Sequence, residues 1–174
     1  MLYTGWNQKV ARLCSATSKN LTDWEKHGPV FQDAYAGRFH DIWSKSGSVV
    51  GKLMDDGRIV ATKINGKYWM YWGDAVVGLA HSDNLVDWTP VLNEDETLFD
   101  PIPPRRGLFD SSLSEPGPPA LLTDEGILLL YNGRNSPEDS LRSNAMGPGA
   151  YCGGPHGRPL YPSDPPHQND SVDP

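Results

Sequence analysis

Apolar residues along this chain come in short runs broken by glycine, proline or polar clusters, and nowhere recur at helical spacing over a helical length. The pattern therefore predicts an all-β protein. Leu2 to Gly5 (L-Y-T-G) reads as a strand entering a turn, and Val10 to Thr17 as a second strand with partial alternation. Ser18 to Trp24 is polar turn material, and His27 to Phe31 closes the unit. A polar loop from Asp41 then leads into a strand that ends near Leu53. Asp55-Asp56-Gly57 makes a turn before the strand Ile59 to Ile64. Asn65-Gly66 is the strongest hairpin signal in the sequence, followed by the strand Lys67 to Trp72. Ala120 to Leu122, a tight turn over Thr123 to Gly126, and Ile127 to Tyr131 form a last hairpin.

Two motifs recur in the same order. A-x-S-x-N-L-x-D-W occurs at Ala16 and again at Ala80. The strand ends L-Y-T-G at Leu2, M-Y-W-G at Met70 and L-Y-N-G at Leu130 also match. A self-similarity of roughly sixty to seventy residues, built from aromatic strands and turns, is the mark of stacked sheet units. Four-stranded propeller blades fit it. Trp24 and Trp88, in the repeated D-W, are expected to pin the outer turn of each unit.

Between Arg105 and Gly133 the chain sets two acids, Asp110 and Glu115, in a stretch stiffened by Pro116, Pro118 and Pro119. A rigid acidic loop beside a hairpin is how a scaffold presents a carboxylate to a ligand. The plain alternative is a turn cap at Asp110 and a solvated acid at Glu115.

Composition narrows the chemistry. The 174 residues include six Trp and seven Tyr, and 37% are hydrophobic, enough for one modest core. Aromatics in such numbers suit strands and also surfaces that stack on sugar rings. A net charge of -7 disfavours nucleic acid, whose phosphates want a basic face. No stretch reads as a membrane span or a signal peptide, which leads to the expectation of a cytosolic chain or a piece of a longer one. Cys14 and Cys152 lack metal spacing, as do His27, His40 and His81, so neither a metal nor a cofactor is expected. From about Ser136 the character changes, and Ser143 to Pro174 is crowded with Pro and Gly and poor in large apolar residues. The domain division is therefore 1–135 for the sheet units and 136–174 for a tail expected to be disordered.

The segments A-T-S-K-N-L-T-D-W-E-K-H-G-P-V-F, K-I-N-G-K-Y-W-M-Y-W-G-D, L-A-H-S-D-N-L-V-D-W and F-D-S-S-L-S-E-P-G-P-P-A-L-L-T-D-E-G-I-L-L-L-Y-N-G together resemble glycoside hydrolase family 130. That family holds the β-mannoside phosphorylases and related β-mannosidases. The resemblance runs from about Leu2 to Asn135. It implies a five-bladed β-propeller with its sugar site on the axis, and inverting attack on a β-mannosidic bond by phosphate or by water. At this repeat length two to three blades fit, so an incomplete propeller is expected. The resemblance puts the family's proton-donating Asp just ahead of the strand matching Leu2 to Gly5, so the general acid is expected to be missing. Where the phosphorylases carry H-R after Y-W-M, and Y-H-G on a later strand, this chain has Tyr71-Trp72 and Tyr131-Asn132-Gly133. Where they write D-S-x-K-x-G-x-G-P-P, Glu115 replaces the first glycine.

A phosphorolytic site must hold a dianion and wants cations beside the anomeric carbon. An inverting hydrolase instead wants a second carboxylate with room for a water. Loss of cations together with gain of Glu115 favours hydrolysis, with Glu115 as general base or water-positioning residue and Asp110 as a supporting or sugar-hydroxyl acceptor. The resemblance also places Asp41, Trp43, Ser44 and Lys45 near the axis, where Trp43 could stack on a pyranose and the others could bond its hydroxyls. Lys63, Trp72, Asp74, Arg106 and Asn132 complete the candidate substrate contacts. Arg106 is left open between Asp110 and a sugar hydroxyl; the Asp41 to Lys45 loop has the alternative of a capped turn with Trp43 packed between blades, and Lys63 that of a solvated strand lysine. The expected partner is an oligosaccharide or glycoside, with no membrane. Two rival functions stand beside a glycosidase: a sugar-binding propeller without catalysis, and a truncated product without activity.

Overall fold

Short apolar runs bounded by tight turns form strands because each can bury a face only against a neighbouring strand or sheet. In a computed structural model of the chain, the described residues are 1–136 and 138, with the backbone of 146–153 and 159–160. The first sheet holds β1 (Leu2–Trp6), β2 (Ala11–Thr17) and β3 (Glu25–Pro29). Then come β4 (Ser46–Leu53), β5 (Ile59–Ala61), β6 (Tyr68–Gly73), β7 (Val77–Ser82) and β8 (Thr89–Pro90). The last group is β9 (Leu113–Pro116), β10 (Ala120–Thr123), β11 (Gly126–Arg134), β12 (Met146–Gly153) and β13 (Pro159–Leu160). One short 3-10 turn spans Ala34–Gly37, and among the described residues no helix is long and apolar enough to cross a membrane.

Three units share one plan. β1-β2-β3, β6-β7-β8 and β11-β12-β13 are antiparallel meanders. β6 and β11 each pair on their free side with an inner strand, β4 through Ser46↔Gly73 to Val49↔Met70, and β9 through Glu115↔Asn132 and its neighbours. The three repeated strand ends thus fall at one structural position, in β1, β6 and β11. The second half of β4 leaves its unit, turns back into β5, and runs parallel to β10 at Ala120↔Val50.

Several expectations shift in detail. The Asn65-Gly66 turn forms as expected, with φ of 52° and 81° and the Ile64↔Lys67 bridge across it, but its leading strand ends at Ala61. The acidic stretch expected to be a stiff loop becomes strand β9 at Leu113–Pro116, so Glu115 sits on a sheet edge rather than a loop. Pro116 is accommodated because it closes that strand. The segment read as a tail contributes β12 and β13 to the third unit; its other residues, apart from Ser136 and Glu138, lie outside the described residues.

β6 explains how the units hold together. Met70 and Trp72 point into a cluster with Leu13, Val30, Phe31, Phe39 and Trp88, between the first and second units. Tyr71 points the other way, into a cluster with Val50, Val77, Ile102, Leu129 and Tyr131, between the second and third. Covered on both faces, the strand Y-W-M-Y-W-G shows no polar alternation.

The repeated turn is nearly self-sufficient. Ser82 Oγ accepts from the amides of Asn84 and Leu85, and Asn84 Oδ1 accepts from those of Val86 and Asp87. Asn84 Nδ2 donates to Asp87, and Trp88 Nε1 donates to the Leu85 carbonyl. Ser18, Asn20, Asp23 and Trp24 repeat these bonds one for one. Both turns hold a leucine in the left-handed region, Leu21 at φ 67° and Leu85 at φ 66°, at a cost of roughly 1–2 kcal/mol that the side-chain bonds offset. What differs is the neighbour. Trp88 donates its amide to Val30 of the first unit and is 2% exposed, whereas Trp24 is 37% exposed beside an open cleft of about 490 Å³. Trp88→Ala should lower the unfolding free energy by about 3–5 kcal/mol, and Trp24→Ala by less than half of that, in urea denaturation followed by circular dichroism.

Candidate functional site

The antiparallel registers bring the start of each inner strand beside the end of its partner, and the inner strands of the second and third units touch. Ser46 opens β4 and Glu115 lies on β9; Ser46 Oγ donates to Glu115 Oε1 at 2.9 Å. Asn132 is the exposed register partner of Glu115. β6 ends at Gly73, whose φ of 150° leaves no room for a side chain: a Cβ there would lie 1.9 Å from the Val76 carbonyl oxygen. That turn sets Asp74 next to the pair, and the Ser114 amide donates to the Ala75 carbonyl at 3.1 Å.

Asp74 gathers the other side. Lys45 Nζ lies 2.9 Å from its Oδ2, and Trp43 Nε1 donates to the same oxygen. Lys45 also stands 5.7 Å from the Trp43 ring centroid. Trp6, at the end of β1, meets Trp43 edge-on at 5.7 Å and 71°. Both indoles are about half exposed. The result is a bowl with aromatic walls, two carboxylates, one ammonium and one amide, a set suited to a polyhydroxylated ring.

Trp43, Lys45, Asp74, Glu115 and Asn132 are therefore assembled as a group. The other sequence candidates fall elsewhere. Asp41 is exposed and engaged with Arg12 Nη1 and His40 Nδ1, each at 3.0 Å. Ser44 is buried, accepts from the Leu13 amide at 3.0 Å, and serves the joint between the first unit and the loop. Lys63 sits over the Tyr68 ring at 5.0 Å, at the opposite end of β6 from Asp74, a strand about 16 Å long at the usual rise. Trp72 is 3% exposed and packs against Phe31 at 4.4 Å.

Asp110 lies behind the bowl, fully buried. Arg105, not Arg106, takes it: Nε reaches both carboxylate oxygens, at 3.2 and 2.9 Å, and the Tyr131 hydroxyl donates to Oδ2 at 2.7 Å. Arg106 is exposed. Gly133 is what lets this loop lie down on β11, since a Cβ there would be 2.5 Å from the Phe109 ring. Burial, reinforced by the Asp110 carboxylate, holds the Tyr131 phenol well above its ordinary pKa.

Two residues escaped the sequence reading, and one signal would have found both. The residue after each repeated strand-end glycine is Trp6, Asp74 or Arg134, and each stands at the same end of its unit. Arg134 is exposed on the same face of β11 as Asn132. Among the described residues no three His, Cys, Asp or Glu side chains are grouped to hold a metal, and Cys14 is buried as a free thiol.

Comparison with known proteins adds four observations. A family model described as β-1,4-mannooligosaccharide phosphorylase, of glycoside hydrolase family 130, matches residues 1–146. A 1,2-β-oligomannan phosphorylase from Thermoanaerobacter sp. (strain X514) is 30% identical over 138 residues, 76% of this chain and 37% of that protein. A glycosyl hydrolase structure from Bacteroides ovatus is 45% identical with a TM-score of 0.86, over 92% of this chain and 46% of that one. A further structure, reported among family 130 hydrolases that target β-1,2-mannosidic linkages in Candida mannan, is 44% identical with the same TM-score and the same coverage. The chain thus spans less than half the length of these relatives, and its sheets are those of an incomplete five-bladed propeller.

Arg105→Met should leave the Asp110 carboxylate buried against one phenol and cost about 3 kcal/mol of stability, the low end for such a pair because the guanidinium is half exposed. Tyr131 gives a pH signature. Its folded pKa is raised, so its contribution is complete below the unfolded value of 10.0 and is lost as pH climbs past it. Denaturation midpoints taken from pH 8 to 11 should fall more steeply for the wild type than for Tyr131→Phe.

Proposed function

This chain belongs to glycoside hydrolase family 130, and on that premise we propose that it forms the Glu115-bearing part of an enzyme that cleaves β-mannosidic bonds with water. Glu115 carries the reading. It is half-buried where two inner strands meet, accepts one hydrogen bond from Ser46, and takes part in none of the ion pairs among the described residues. An ionised carboxylate can accept several hydrogen bonds, so one serine orients Glu115 and still leaves oxygen lone pairs for a water. In an inverting hydrolase such a carboxylate takes the proton of a water attacking from the face opposite the leaving oxygen.

The remaining roles follow from placement. Trp6 and Trp43 offer apolar faces to the sugar, while Lys45, Asp74 and Asn132 offer donors and acceptors to its hydroxyls. Asp110 acts from behind, fixing with Arg105 and Tyr131 the chain on which Glu115 and Asn132 face each other. Two of the relatives act on β-1,2 linkages, which makes that linkage the first to test.

Arg134 favours a second reading, because an exposed guanidinium two residues past Asn132 is the cation a phosphorolytic site would use. A substrate with a good leaving group separates the two and removes any need for a proton donor. With 2,4-dinitrophenyl β-D-mannoside we expect dinitrophenol release in phosphate-free buffer, falling by about 10² to 10⁴-fold in Glu115→Gln. Release that requires phosphate and is abolished by Arg134→Ala would make the protein a phosphorylase. Binding of β-1,2-mannobiose without turnover of either substrate would make it a sugar-binding propeller.

A further inference from the structure

Residues 41–45 lead from the first unit to the second and carry two walls of the bowl, Trp43 and Lys45. They belong to no strand or bridge, yet their side chains alternate as a strand's would. Ile42 and Ser44 turn into the protein, while Asp41, Trp43 and Lys45 are exposed. A stretch without a ladder needs other bonds to hold it extended.

The first unit supplies them. The Ser44 amide donates to the Ala11 carbonyl at 2.9 Å, and the Leu13 amide donates to Ser44 Oγ at 3.0 Å. Arg12 Nη1 holds Asp41 at 3.0 Å. The last bond runs from Thr4 Oγ1, in the middle of β1, to the Lys45 carbonyl at 3.0 Å. β1 comes this close because of Gly47, where a Cβ would lie 2.8 Å from the Leu13 side chain and 2.9 Å from that of Leu2.

The Thr4 bond holds a particular peptide unit. The Lys45 carbonyl is the last before the β4 ladder begins at Ser46↔Gly73, so the ladder does not yet fix it. Fixing its plane fixes the backbone torsion of Lys45, and with it the aim of Nζ at Asp74 Oδ2. Trp43 Nε1 donates to that same oxygen, so the indole shares the setting. Ser46, one residue on, is held by the ladder itself, and its bond to Glu115 does not need Thr4.

We propose that Thr4 is a positioning residue for the bowl. It acts through the Lys45 carbonyl to set the Lys45–Asp74–Trp43 wall from the first unit, and so governs how tightly a sugar is held rather than how fast its bond breaks. A small misplacement of a contact wall is enough to cost affinity. The proposal rests on the saccharide reading above and adds to it a residue outside the bowl on which the wall depends.

Ser44 is the wrong residue to test, because removing its hydroxyl strips the buried Leu13 amide of its acceptor and strikes at folding. Thr4 is exposed, and Thr4→Val deletes the hydroxyl while keeping a β-branched side chain on the strand. In the free ¹⁵N-labelled full-length chain, Thr4→Val should move the Trp43 indole N–H resonance, identified by its absence in Trp43→Phe. The same variant should raise the Kd for β-1,2-mannobiose and the KM for 2,4-dinitrophenyl β-D-mannoside about threefold to tenfold, the worth of one hydrogen bond, with kcat unchanged. Thr4→Ser keeps the hydroxyl and should restore all three. An unmoved Trp43 resonance with unchanged Kd and KM in Thr4→Val would overturn the proposal, as would a Thr4→Ser variant that behaves like Thr4→Val. A loss confined to kcat would also overturn it, by moving the effect from the wall to Glu115. A folded wild-type chain that neither binds nor cleaves a mannoside would overturn the saccharide reading, and the resonance alone would then uphold or overturn the setting of Trp43 by Thr4.

Discussion

A sheet with apolar side chains on both faces must be covered on both, and that requirement governs this structure. β6 meets it by sending Met70 and Trp72 into one cluster and Tyr71 into another, so that neither neighbouring unit is optional. Backbone bonds between units are few, chief among them Trp88 to Val30 and the short parallel contact of β4 with β10. Side-chain burial therefore supplies most of the adhesion, in keeping with the size of the hydrophobic term relative to the net worth of a hydrogen bond.

The same stacking makes the functional end. Meanders packed side by side, each entered from its inner strand, bring their strand ends to a common rim. Position along a strand then decides whether a residue can take part. Asp74 and Lys63 flank the same strand, and only the residue at the rim end joins the bowl. Close backbone approach fixes the last details, at Gly73 through its φ and at Gly133 through the ring of Phe109.

The parts of this arrangement that were legible in the sequence are those determined locally. The S-x-N-L-x-D-W turn makes its bonds within a few residues, so two copies of the motif announce two copies of the structure. Asn65-Gly66 likewise carries its own conformation. Glu115 was not legible as a strand residue, because its pairing partner β11 lies beyond the intervening strand β10. Which of two adjacent arginines reaches Asp110 depends on how that loop folds back over Gly133, and no spacing rule carries that information. Ser44 read as a ligand contact because its polarity was visible, while the backbone amide of Leu13 that claims it was not. Trp6 and Arg134 were legible in principle, through their common position after the repeated glycine.

β4 belongs to two units at once: its first half is zipped to β6, and its second half is shared with β5 and β10. Such a strand acts as a mortise between modules that would otherwise be joined by side chains and the Ser114-to-Ala75 backbone bond. Opening the second module must tear the edge of the third, so the two share one cooperative transition, and a repeat array loses its module-by-module independence at that joint. At the boundary of the first and second modules, among the described residues, no strand is shared, so that joint can open without breaking a ladder.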